Sequence, residues 1–78
     1  MDAYQTALKH FLSREGVRQT DIAAKIGKPQ PTLNRYAMGR RFPDADTARL
    51  IDEATGGVVP FQLWQSVAME RLGVAVAA

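Results

Sequence analysis

The chain of 78 residues contains no cysteine. That excludes a disulfide framework and thiolate metal sites, and it suits the reducing cytoplasm. Histidine is almost missing too. His10 stands alone on the first helix, without a Cys or Asp close by, so it makes neither a metal site nor a catalytic base. The one acidic cluster, Asp44, Asp46, Asp52 and Glu53, reads as helix caps and a solvated helix face. No nucleophile–base pair and no phosphate loop is visible, so no enzyme, cofactor, metal or small-molecule ligand is expected. No apolar run approaches the roughly 20 residues that span a bilayer. The first ten residues, MDAYQTALKH, lack the charged-then-apolar layout of a signal peptide. There is no repeat and no low-complexity tract. Strand signals are weak: Val74 to Val76 alternates, which fits a short edge strand in a dimer less well than an unstructured tail.

Helical periodicity dominates what is present. The expectation is an all-α domain of five helices over residues 1–72, followed by a flexible tail at 73–78. Helix one is expected over residues 2–14, with Asp2 and Gln5 at capping-box spacing. Tyr4, Ala7, Leu8, Phe11 and Leu12 make its apolar stripe. Helix two covers residues 18–26 and helix three residues 31–38. Asp44 caps helix four, with Asp46 in its first turn favouring the positive end. Leu50, Ile51 and Ala54 form its buried side, and Gly56-Gly57 ends it. Helix five covers residues 61–72. So short a chain buries a modest core.

The most informative stretch is QTDIAAKIGKPQPTLNRYAM, residues 19–38. Ile22, Ala23 and Ile26 form an apolar face. Gly27 stops the helix, because glycine takes the left-handed conformation cheaply. Pro29 bars its continuation. Leu33, Tyr36 and Ala37 face inward on the next helix, leaving Gln30, Thr32, Asn34, Arg35 and Met38 as its outward face. Four of those five carry groups that bond to base edges or phosphates. Pro31 pushes the preceding residue from helical geometry, so Gln30 is expected as the cap and Pro31 in the first turn.

This pattern of Gln19, Ala23, Gly27, Gln30, Leu33 and Tyr36 resembles the lambda-repressor-like, Cro/CI-type helix-turn-helix family. The resemblance extends from Leu8 to Trp64. It implies a sequence-specific regulator, of the phage Cro-like repressor kind, that binds palindromic double-stranded operator DNA as a homodimer with helix three in the major groove. It also implies that Gln30 bonds adenine, whose N7 and N6 match the glutamine amide. Thr32 then meets a thymine methyl or a phosphate, and Asn34 and Arg35 face outward on the next turn of the helix. Arg35 forks onto guanine or grips a phosphate. Gln19 bonds a phosphate and steadies Gln30. Arg40 and Arg41 act as phosphate clamps, with Lys28 a peripheral contact.

Charge is distributed unevenly. Residues 1–41 hold eight basic and three acidic side chains, whereas residues 42–78 hold two basic and five acidic ones. Lys28, Arg35, Arg40 and Arg41 stand in a segment without an acid. Such a patch is the electrostatic footprint of a DNA-facing surface, although basic residues also simply solubilise small domains. Helix five has more apolar residues than one face needs. Phe61 and Trp64 are assigned to the core, and Leu63 and Val67 to an exposed dimer interface. The alternative function is a protein-interaction module, an antitoxin or adaptor working through helix five and the tail.

Overall fold

A computed structural model describes residues 2–73. Five helices follow one another: α1 (Ala3–Leu12), α2 (Gln19–Lys25), α3 (Gln30–Ala37), α4 (Ala45–Ala54) and α5 (Phe61–Leu72). No strand occurs among the described residues. None of these helices is long and apolar enough to cross a membrane. The stretch 74–78, with the alternating Val74 to Val76, lies outside the described residues.

Two helices start on aspartate caps. The Asp2 carboxylate accepts from the Gln5 backbone N–H at 2.7 Å, and the Asp44 carboxylate from the Thr47 N–H at 2.8 Å. Each satisfies one of the orphan donors at a helix start. Helices α2, α3 and α4 end alike. A glycine at positive φ follows each, and the next residue's N–H reaches back five positions: Lys28 to Ala23, Arg40 to Arg35, Gly57 to Asp52. This is the Schellman arrangement.

The core lies where α1, α2 and α3 meet α4 and α5. Tyr4, Leu8, Ile26, Leu33, Ile51 and Val59 are its largest fully buried side chains. Val59 stands in the α4–α5 loop, where no periodicity marks it as core. Its N–H donates to the Thr55 hydroxyl at 3.1 Å, and that hydroxyl donates to the Ile51 carbonyl at 2.8 Å. The bracket satisfies polar groups that would otherwise be buried unpaired. Helix α5 has no side-chain cap of its own. Instead Asp52 of α4 accepts the Phe61 N–H at 2.9 Å.

An aromatic stack ties the α3–α4 loop to α5. Phe42 lies parallel to Trp64 with ring centroids 5.7 Å apart, and Trp64 parallel to Phe61 at 5.3 Å. Arg71 covers the outer face of Phe42 at 4.2 Å, and Arg49 covers Phe61 at 4.1 Å. Trp64 also donates its indole N–H to the Pro43 carbonyl at 2.8 Å. Aromatic pairs of this kind contribute about 0.5–1.5 kcal/mol each beyond their burial.

Three expectations about burial change. Phe61 and Trp64 are half-buried members of this stack, not fully enclosed. Leu50 is 39% exposed, because Ala48 and Ile51 take the inner side of α4 and Leu50 falls beyond them. Val67 is only 4% exposed and belongs to the core, and Leu63 packs half-buried against it. Val67 is therefore unavailable as a dimer surface. It lies one turn beyond Leu63, on the inward side of α5.

The Tyr4 hydroxyl is fully buried and has no hydrogen-bond partner. Burial pushes its pKa well above the ordinary value of 10.0, and the nearby Asp52 carboxylate adds to the rise. A phenol that resists ionisation in the folded state supports the fold below pH about 10 and loses that contribution as pH rises further. Tyr4→Phe removes an unsatisfied polar atom at constant shape, so stability at pH 7 should be unchanged or raised by about 1 kcal/mol. The variant should also lose less stability than the parent above pH 10. Thermal melts of both proteins at pH 7 and pH 10.5 check this, and a destabilised variant at pH 7 would show that the hydroxyl has a partner.

Candidate nucleic-acid interface

The outward face of α3 is set by the turn before it. Gly27 adopts φ +67° and the Lys28 N–H closes onto Ala23 at 3.0 Å, which ends α2 sharply. Pro29, held in extended conformation, then starts α3, and its carbonyl accepts from Thr32 and Leu33. Gln30 is thus the first helical residue and not the cap. The expected displacement by Pro31 does not occur: Gln30 is helical with Pro31 second in α3, where the missing proline N–H costs nothing.

Gln30 is exposed, and its amide nitrogen donates to the Gln19 amide oxygen at 2.8 Å. Of its two N–H groups one is spent on this tether. The second N–H and the carbonyl remain, and together they match the acceptor and donor of adenine. The tether holds the Gln30 side chain against Gln19 of α2.

Gln30, Pro31, Asn34, Arg35, Met38 and Arg40 line one open concavity on this face. Their spacing explains it: with 3.6 residues per turn, positions 30, 31, 34, 35 and 38 share a side. Thr32 does not. It is 9% exposed and points inward, one turn before the buried Tyr36. The outward place expected for Thr32 belongs to Pro31, and Thr32 is withdrawn from the set. The helical step alone contains that signal.

Arg40 and Arg41 separate. Arg40 lines the concavity beside Arg35. Arg41 lies near Asp44, as does Lys28. The hydrogen bonds from Thr47 hold the Asp44 carboxyl below its ordinary range, and the charges of Lys28 and Arg41 lower it further. Lys28 is half-buried, whereas both arginines are exposed. Phe42, the next residue, is clamped in the aromatic stack, so the basic loop hangs from a fixed point. A second hollow, between α1 and α3, brings Lys9 and Ser13 next to Gln19 and Asn34. Lys9 escapes sequence reading because it belongs to a different helix, and only packing brings it to this edge.

The sequence model of a family described as helix-turn-helix matches residues 12–60. The chain belongs to that family, the Cro/CI type of DNA-binding regulators, and its five-helix fold is lambda-repressor-like. No curated protein and no solved structure matches the chain.

Replacing Arg40 and Arg41 together by alanine should weaken binding to all duplexes alike. The slope of log K against log salt should flatten by about one unit for each phosphate no longer gripped, about two for the pair. Titrations of a random duplex over a several-fold range of salt measure this, and an unchanged slope would remove both residues from the interface.

Proposed function

We propose that the protein is a repressor of the phage Cro type, binding a palindromic operator as a homodimer in the cytoplasm. The single observation that carries this reading is the Gln19–Gln30 hydrogen bond, which prepares Gln30 for a base edge. Asn34 and Arg35 extend the row of readers, while Gln19, Lys28, Arg40 and Arg41 sit at its margins for phosphate. Helix α3 enters the major groove, and its twin enters the next one about 34 Å away, one helical turn along the duplex. Occupancy blocks polymerase. The basic first half of the chain faces DNA, and the acidic second half faces away from it.

The dimer patch falls on the far side of α5. Phe42, Trp64, Ala68, Arg71 and Leu72 line an apolar groove there. Leu72 is 77% exposed, and Met69 on the same helix is exposed as well. This patch replaces Val67, which the core has consumed. A two-fold axis would set the same groove against itself.

Selection of binding sites from a random DNA pool tests the reading: a symmetric consensus with half-sites one turn apart is expected, and the absence of any consensus would refute it. Arg35→Ala should cost operator binding about 1–3 kcal/mol. A loss confined to operator DNA marks a base contact, and an equal loss on random DNA marks a phosphate contact. Leu72→Asp should give helical monomers in sedimentation that still bind a half-site, because the charge would be buried without a partner only in the dimer. A folded variant that remains dimeric would move the interface elsewhere.

A further inference from the structure

Among the outward residues of α3, Pro31 and Met38 are the two that hydrogen bonding does not explain. Pro31 is exposed and sits in the same concavity as Gln30, Asn34 and Arg35. Its ring has no donor, and its backbone nitrogen has no hydrogen. We propose that Pro31 is a specificity-determining residue that reads the 5-methyl group of a thymine next to the base addressed by Gln30. The inference rests on the reading of α3 as the helix that enters the major groove.

The chemistry of the groove narrows the choice. Its floor presents acceptors, amino donors and a single kind of apolar group, the thymine methyl. When Gln30, Asn34 and Arg35 bond to base edges, the ring among them is pressed against the same floor and loses its water. Set against a donor or acceptor, the ring would strip that group of solvent and return nothing. Set against a methyl, both surfaces leave water favourably. The ring is rigid and its helical position fixed, so no side-chain freedom is lost on contact.

Met38 is the other apolar residue of the concavity, and it is 50% exposed. It lies two turns further on, at the C-terminal end of α3. Recognition helices present chiefly their N-terminal residues to the bases. Its flexible side chain would also lose rotamer freedom on contact. Met38 is therefore the comparison and Pro31 the reader.

The test uses the full chain and the half-site obtained by selection. Each thymine is replaced singly by uracil, which deletes the methyl and nothing else. At one position, next to the Gln30 base, the affinity of the parent should fall about four-fold, the worth of one buried methylene-sized group. That penalty should vanish in Pro31→Ala and persist in Met38→Ala. At the same position a 5-methylcytosine–guanine pair should bind more tightly than cytosine–guanine, for the parent and not for Pro31→Ala. Alanine is the best helix former, and circular dichroism checks that the variant stays folded. A tightly bound operator with no uracil-sensitive position would overturn the methyl contact alone. So would a penalty that survives in Pro31→Ala. A selection that returns no preferred sequence would instead overturn the reading of α3 itself.

Discussion

The turn at Gly27 is the constraint on which the rest depends. Its left-handed backbone lets the Lys28 N–H return to Ala23 and ends α2 within one residue. Pro29 then starts α3 in a new direction. The crossing brings Ala23, Ile26 and Leu33 into the buried core and, at the same time, sets Gln19 of α2 against Gln30 of α3. A residue with a Cβ at position 27 would be strained in this conformation, by about 1–2 kcal/mol. More than stability would suffer, since the angle of α3 sets Gln30 against Gln19.

A second system holds the other half in place. Arg49, Phe61, Trp64, Phe42 and Arg71 form a continuous stack of cations on aromatic rings. Trp64 adds its bond to Pro43, and Asp52 its bond to Phe61. None of these contacts is strong alone. A cation over an exposed ring contributes about 0.5–1 kcal/mol. The ion pair of Arg71 with Asp2, at 3.4 Å and partly exposed, contributes no more than about 1 kcal/mol. Together they anchor the loop that follows α3, so Arg40 and Arg41 begin from a fixed backbone. The second half of the chain thus holds the basic loop by position.

The charge pattern also explains why Asp44 is tolerated beside the basic loop. It caps α4, and Lys28 and Arg41 surround it. Its negative charge sits on the margin of the face and not within the row from Gln30 to Met38. That row contains no acid.

Much of this protein was legible in its residues. The apolar period of each helix, the Asp2 and Asp44 caps, the glycine at 27 and the basic segment after Tyr36 are local features, and local chemistry decides them. The pairing of Gln19 with Gln30 followed from family resemblance. Other features depend on what tertiary packing brings together. Val59 is core because the α4–α5 loop folds over Ile51, and no periodicity can report a single loop residue. Val67 is core because α5 turns that side inward, leaving Leu72 exposed. Lys9 reaches the edge beside Gln19 and Asn34 only because α1 packs on α3. Thr32 and Pro31 belong with the local features instead. The helical step from the buried Tyr36 places Thr32 inward and Pro31 outward, and it was there to be read in the sequence.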